Sequence, residues 1–171
     1  MNTQNTKVLI MAAGTGGHVF PALSIAQCLR DQGVITEWLG TRHGMENNLL
    51  ENSGIKIHPV SVKGLKGKGI VRLLLAPFMM LVALVQSMRV IARVKPNCVL
   101  GMGGFVSGPG GLATKLLGKP LLIHEQNAVP GFTNRMLARI SNKVFEAFPR
   151  TFKSSQKVMF TGNPIREDIA R

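Results

Sequence analysis

Residues 7–19, KVLIMAAGTGGHV, decide the fold. The run of Val, Leu, Ile and Met lacks polar alternation, so it reads as a strand buried on both faces. It passes straight into glycines, a threonine and a histidine, and then into the helical periodicity of FPALSIAQCLR at 20–30. Strand, glycine turn and helix open a βαβ unit. A loop this poor in side chains lets a ligand approach the backbone, and N–H groups at a helix start stabilise an anion.

The same alternation continues along the chain. Strands are expected at 7–12, 35–40, 56–61, 97–101, 120–124, 143–147 and 157–161. Helices are expected at 20–32, 44–53, 70–94, 109–117 and 131–140, with a short one near 150–155. Gly33, Gly54 and Gly118 stand where helices end. The expected fold is α/β: a doubly wound, Rossmann-like parallel sheet with helices on both faces, ordered 3-2-1-4-5 at its centre. Ligands of such a sheet bind beyond the carboxyl ends of the strands. Residues 1–163 make one domain on this reading, and GNPIREDIAR at 162–171 leads into an interdomain linker from about residue 164, with a second domain beyond this chain.

The opening loop has a counterpart. GTGGHV at 14–19 is matched by GMGGFV at 101–106; each follows a strand and each precedes a proline, Pro21 or Pro109. Strands 1 and 4 are neighbours at the switch point, so both loops face one crevice. A diphosphate, or two phosphate-bearing ligands, suits that arrangement. A dinucleotide suits it less. The G-x-G-x-x-G pattern fails at Val19, and the end of the second strand offers Arg42 in place of an acid. Arg42 leaves a 2′-phosphate, and so NADP, as an alternative tenant. The Walker pattern is absent.

HEQN, residues 124–127, ends the fifth strand at the crevice. Four polar side chains there suit hydroxyl recognition, or a loop in which Glu125 accepts backbone N–H groups and Asn127 caps a turn. His18 faces the same crevice, with Glu125 as its nearest plausible acidic partner, and an imidazole is a side chain suited to deprotonating a hydroxyl. The other acids are scattered and no DxD pair occurs, so no metal site is expected. Cys28 and Cys98 lie in apolar segments without a CxxC pattern and read as buried reduced thiols.

Net charge is +13, and residues 52–124 hold no Asp or Glu. A field of one sign attracts polyanions or an anionic surface. One Trp and no Tyr leave little for stacking bases, which argues against nucleic acid. Residues 73–88, LLLAPFMMLVALVQSM, are uncharged and flanked by cations. At ~1.5 Å per residue they fall short of the ~30 Å bilayer core. They read as a helix that covers the sheet on one side and meets anionic lipid on the other. The expected membrane contacts are Lys66, Lys68, Arg72, Leu75, Phe78, Met79, Leu81, Val82 and Arg89.

Six stretches, MAAGTGGHVFPALSIA, WLGT, GLKGKG, VLGMGGFVSGPGGLA, HEQNAVPGFTN and TGNPIR, stand in order across residues 7–167. Together they resemble the MurG family, bacterial transferases that carry N-acetylglucosamine (GlcNAc) from UDP-GlcNAc to undecaprenyl-diphosphate-linked muramyl-pentapeptide. The resemblance implies the N-terminal half of a two-domain GT-B fold. It implies inverting transfer to the muramic acid 4-hydroxyl in peptidoglycan synthesis, with no cofactor and no metal. Donor contacts would fall on Thr15, Gly16, Gly17, Asn127 and Arg166. Acceptor diphosphate and sugar would meet Gly14, His18, Gly103, Gly104, Phe105, His124, Gln126 and Asn134. His18 and Glu125 match positions tied to catalysis. The expected location is the cytoplasmic face of the inner membrane, held peripherally, with other cell-wall synthesis or division proteins as partners. This chain alone is expected to bind acceptor and membrane without turnover. A lipid- or partner-binding module without catalysis is the alternative. The family commonly has Tyr where this chain has Phe105, so a role needing a phenol does not carry over.

Overall fold

The computed structural model describes residues 6–61 and 70–164, with side chains 70–75 left aside. Its elements are β1 (Lys7–Met11), α1 (Gly16–Asp31), β2 (Ile35–Thr41), α2 (Met45–Leu50), β3 (Lys56–Val60) and α3 (Ile70–Val94). There follow β4 (Cys98–Gly101), α4 (Ser107–Leu116), β5 (Leu121–Glu125), α5 (Phe132–Ile140), β6 (Lys143–Glu146) and β7 (Val158–Phe160). All seven strands form one parallel sheet in the order β3-β2-β1-β4-β5-β6-β7. The expected doubly wound class and its central order hold.

Alternate residues of each strand serve opposite cores, as a two-residue period requires. Leu9, Met11, Leu39, Val99, Leu121 and Ile123 pack with Ile91, Ala113 and Leu137 of α3, α4 and α5. Val8, Ile10, Trp38 and Leu100 pack with Val19, Ala22, Ala26 and Leu50 of α1 and α2. Trp38 is fully buried and donates its Nε1–H to the Ala12 carbonyl at 2.9 Å, so its polar edge is satisfied inside the core. α4 lies close on the sheet: a Cβ at Gly110 would stand 2.4 Å from Met11 Sδ.

Three expectations change. α1 starts at Gly16, not near residue 20, because Thr15 takes the extended N-cap conformation and the glycines already form the first turn. Pro21 therefore lies inside the helix and leaves the Gly17 carbonyl without its helical donor. The short helix near 150–155 is replaced by turns and bends. Buried Glu146 accepts the N–H groups of Arg150 and Phe152, both at 3.0 Å, and Arg150 takes φ 69. Those N–H groups are thus spent on a side chain instead of on helical carbonyls. Cys28 is exposed on α1, where the Gln32 amide reaches its sulfur at 3.5 Å; Cys98 is half-buried, and burial pushes its thiol pKa up.

Candidate active site

The topology puts the ends of β1 and β4 side by side, and the two glycine loops touch. Gly104 has φ 80, and a Cβ there would lie 2.0 Å from the Ala13 carbonyl oxygen of the first loop. Gly103 has φ 105, and a Cβ there would lie 2.9 Å from Cε1 and Nδ1 of His18. The loops are tied below this contact. Met102 N–H donates to the Met11 carbonyl at 2.9 Å, and the Ser107 hydroxyl reaches the carbonyls of Met11 and Gly103 at 3.1 and 2.7 Å. Gly104→Ala must adopt a left-handed backbone and push another loop's backbone aside. It is expected to cost about 3 kcal/mol, read as a fall in the urea midpoint. A midpoint within experimental error of wild type would show that the loops are not clamped together.

The rim is formed by small groups. Gly14, Thr15 and Gly17 are exposed and His18 is half-buried. No acid stands in the first turn of α1 or α4, so nothing there opposes an anion at the helix starts. Phe105, 42 % exposed, offers a ring at the mouth of the second loop. Asn127 is exposed on the loop after β5.

The polar residues of HEQN divide by depth. Glu125 is 0 % exposed. Its Oε1 accepts from the backbone N–H and side-chain amide of Asn127, at 3.1 and 2.8 Å. Its Oε2 accepts from Gly131 N–H at 3.1 Å and from the Asn134 amide at 3.0 Å, and that amide also reaches the His124 carbonyl at 3.0 Å. Glu125 and buried Asn134 therefore hold the loop that carries Asn127. The residue that pairs with His18 is Gln126, not Glu125: His18 Nδ1 and Gln126 Oε1 are 3.0 Å apart. His124 and Gln126 are buried below the rim. Burial pushes the His124 pKa down, against an opposing pull from its hydrogen bond to Gly162 and from the charge of Glu125. The Gly162 carbonyl, within the TGNPIR stretch, lies 3.0 Å from His124 Nε2, a pairing that the sequence does not reveal.

The apolar helix shows two faces. Ala76, Ala83, Ser87, Ile91 and Val94 are buried, and α3 packs on α4 and β3. Phe78 and Leu81 are 66 % and 56 % exposed, and Val85 and Arg89 continue that face. Leu81, Val82, Val85, Gln86 and Arg89 line a shallow groove, while Met79 and Val82 are half-buried. Arg72 and Leu75 fall within the first two turns of α3. Lys66, Lys68 and Arg166 lie outside the described residues. Among the described residues, no three His, Cys, Asp or Glu side chains gather.

Elsewhere, Glu37 on β2 pairs with His58 on β3 and, at 3.2 Å, with Lys7 on β1. Burial works to raise the Glu37 pKa, but the hydrogen bonds from His58 and Lys7 outweigh it and hold the carboxyl below its usual range. This cluster sits along the strands, away from their carboxyl ends.

The same fold recurs in known proteins. The glycosyltransferase family 28 N-terminal domain matches residues 8–146. A UDP-N-acetylglucosamine–N-acetylmuramyl-(pentapeptide) pyrophosphoryl-undecaprenol N-acetylglucosamine transferase of Ectopseudomonas mendocina is 54% identical over 162 residues, covering 95% of this chain and 46% of its own length. The transferase of the same description from Nitrosococcus oceani is 55% identical over 163 residues, covering 95% and 45%. The crystal structure of Acinetobacter baumannii MurG superposes with a TM-score of 0.81 at 52% identity, over 91% of this chain and 45% of its own. The chain spans about half the length of the curated relatives it matches.

Proposed function

The chain belongs to the glycosyltransferase family 28 N-terminal domains, and from that premise we propose that it is the acceptor-binding half of a transferase of peptidoglycan synthesis. The reaction is the movement of GlcNAc from UDP-GlcNAc to the muramic acid 4-hydroxyl of undecaprenyl-diphosphate-linked muramyl-pentapeptide. The observation that carries this reading is the contact of the two glycine loops around His18 at the switch point of the sheet. Exposed backbone of Gly14–Gly17 and the helix start take the acceptor diphosphate or the donor phosphates. The rim residues Thr15 and Asn127 suit hydroxyl groups.

The chemistry is a single displacement. The acceptor oxygen forms a bond to the anomeric carbon, the bond from that carbon to the UDP oxygen breaks, and the configuration inverts. The hydroxyl proton passes to a base, the role this reading gives to His18. UDP leaves with its charge met by loop N–H groups and by the other half of the protein. The exposed apolar side of α3, with Arg89 at its end, supports a peripheral contact with anionic lipid on the cytoplasmic face of the inner membrane.

The test joins this chain to a family C-terminal half and follows labelled GlcNAc into the lipid-linked acceptor. Transfer by the joined protein, with acceptor binding but no turnover by this chain alone, is the expected outcome. A folded joined protein that transfers nothing would overturn the reading.

A further inference from the structure

The buried residues beneath His18 form a chain of hydrogen bonds whose direction can be settled one atom at a time. It begins at the Gly162 carbonyl, which can only accept. His124 Nε2, 3.0 Å away, must therefore carry a hydrogen. His124 is 3 % exposed, and burial favours its neutral ring, so its Nδ1 holds a lone pair. That lone pair lies 3.2 Å from Gln126 Nε2. The same Nε2 lies 3.0 Å from the His124 carbonyl, a second group that can only accept. A flipped amide would set its oxygen against that carbonyl and against the bare Nδ1. The orientation of the Gln126 amide is thereby fixed, with Oε1 toward His18.

An amide oxygen only accepts. His18 Nδ1, 3.0 Å from it, must then be the donor. A neutral imidazole has one N–H, so the His18 Nε2 is left with its lone pair. We propose that Gln126, oriented by His124 and the Gly162 carbonyl, is a positioning residue that holds His18 in the Nδ1-protonated tautomer and presents Nε2 as the proton acceptor. Gly103 adds a steric element, since no side chain intervenes where the His18 ring packs on that loop. The relay links residues far apart in sequence: His18 and Gln126 are separated by 108 positions, and His124 and Gly162 by 38. Only the identity of the group that gives its proton to Nε2 rests on the proposed transfer reaction; the tautomer does not.

The test is nitrogen NMR of this chain with labelled histidine, above the ordinary titration range of imidazole. The expected wild-type spectrum shows His18 with a protonated Nδ1 and an unprotonated Nε2. Gln126→Leu removes the acceptor and is expected to return His18 to the mixture of tautomers found in free histidine. The His124 Nε2–H signal is retained as a check of fold. In the joined transferase, Gln126→Leu is expected to lower kcat about tenfold or more with KM for the acceptor little changed. Either a wild-type His18 protonated on Nε2 or a tautomer that Gln126→Leu leaves unaltered would overturn the proposal. A correct tautomer in an inactive joined protein would instead sink the proposed reaction and leave the positioning role standing.

Discussion

Replacing His18 by alanine in the joined transferase is expected to lower kcat by about 10²–10⁴-fold, the range that a positioned general base contributes. The thermal midpoint is expected to move little. His18 is half-buried, and its hydrogen-bonding partner Gln126 keeps its own bonds to His124 when the ring is gone. Truncation also opens space at a half-buried rim position instead of a sealed cavity. Steady-state transfer of labelled GlcNAc and a melting curve on the same preparation separate the two effects. Unchanged kcat would reduce His18 to a residue that packs the two loops together. A large fall in the midpoint, with kcat lost in proportion to folded protein, would reduce it to the same packing role.

Glu125→Ala is expected to act in the opposite way, through stability. The carboxylate is 0 % exposed and accepts four hydrogen bonds, two from backbone N–H groups and two from side-chain amides. Removing it takes the acceptor from all four donors, of which the Asn134 amide is buried while Asn127 and Gly131 lie at exposed positions. A hydrogen bond to a charged group contributes about 1.5–3 kcal/mol and a stranded donor costs about 1–3 kcal/mol. Partial relaxation of residues 127–131 offsets part of the sum, so a loss of about 3 kcal/mol is expected. Urea denaturation measures it. Hydrogen exchange at Asn127 and Gly131 should speed up alongside, because both N–H groups lose their acceptor. Glu125→Gln keeps one accepting oxygen and is expected to fall between alanine and wild type. A stable alanine variant with slow exchange at both amides would remove Glu125 from this role.

The fold is legible in the sequence because it rests on local signals. The strand 7–12 announces burial on both faces by its unbroken Val, Leu, Ile and Met, the strand 97–101 does so more briefly by Cys, Val and Leu, and the glycine loops recur at the same place after each. Right-handed crossovers between parallel strands leave few ways to order them, and strands 1 and 4 meet at the switch point. The departures have a common cause, a neighbour that local pattern does not reveal. At Gly16, glycines that signal a turn are drawn into α1 by Thr15 in its N-cap conformation. At 150–155, a helical pattern loses its N–H groups to Glu146, a partner supplied by the end of β6. Apolar neighbours in sequence suggest burial for Cys28, but the helix turns it outward.

The candidate site is legible as a place and not as a circuit. Residue types at strand ends locate His18, Glu125, Gln126 and both glycine loops on one rim. The pairing expected between His18 and Glu125 rests on charge alone, and charge says nothing about depth. Glu125 points into its own loop, while Gln126 reaches His18.

By itself, then, the sequence determined the alternation of elements, the doubly wound sheet and the rim on which chemistry can occur. These follow from burial periodicity and backbone preference within a few residues of each position. Only the tertiary structure decided which loops touch, which acid is structural and which nitrogen of His18 carries the proton. Hydrogen bonds act over about 3 Å, and partners 38 or 108 positions apart come within that range only once the sheet has closed.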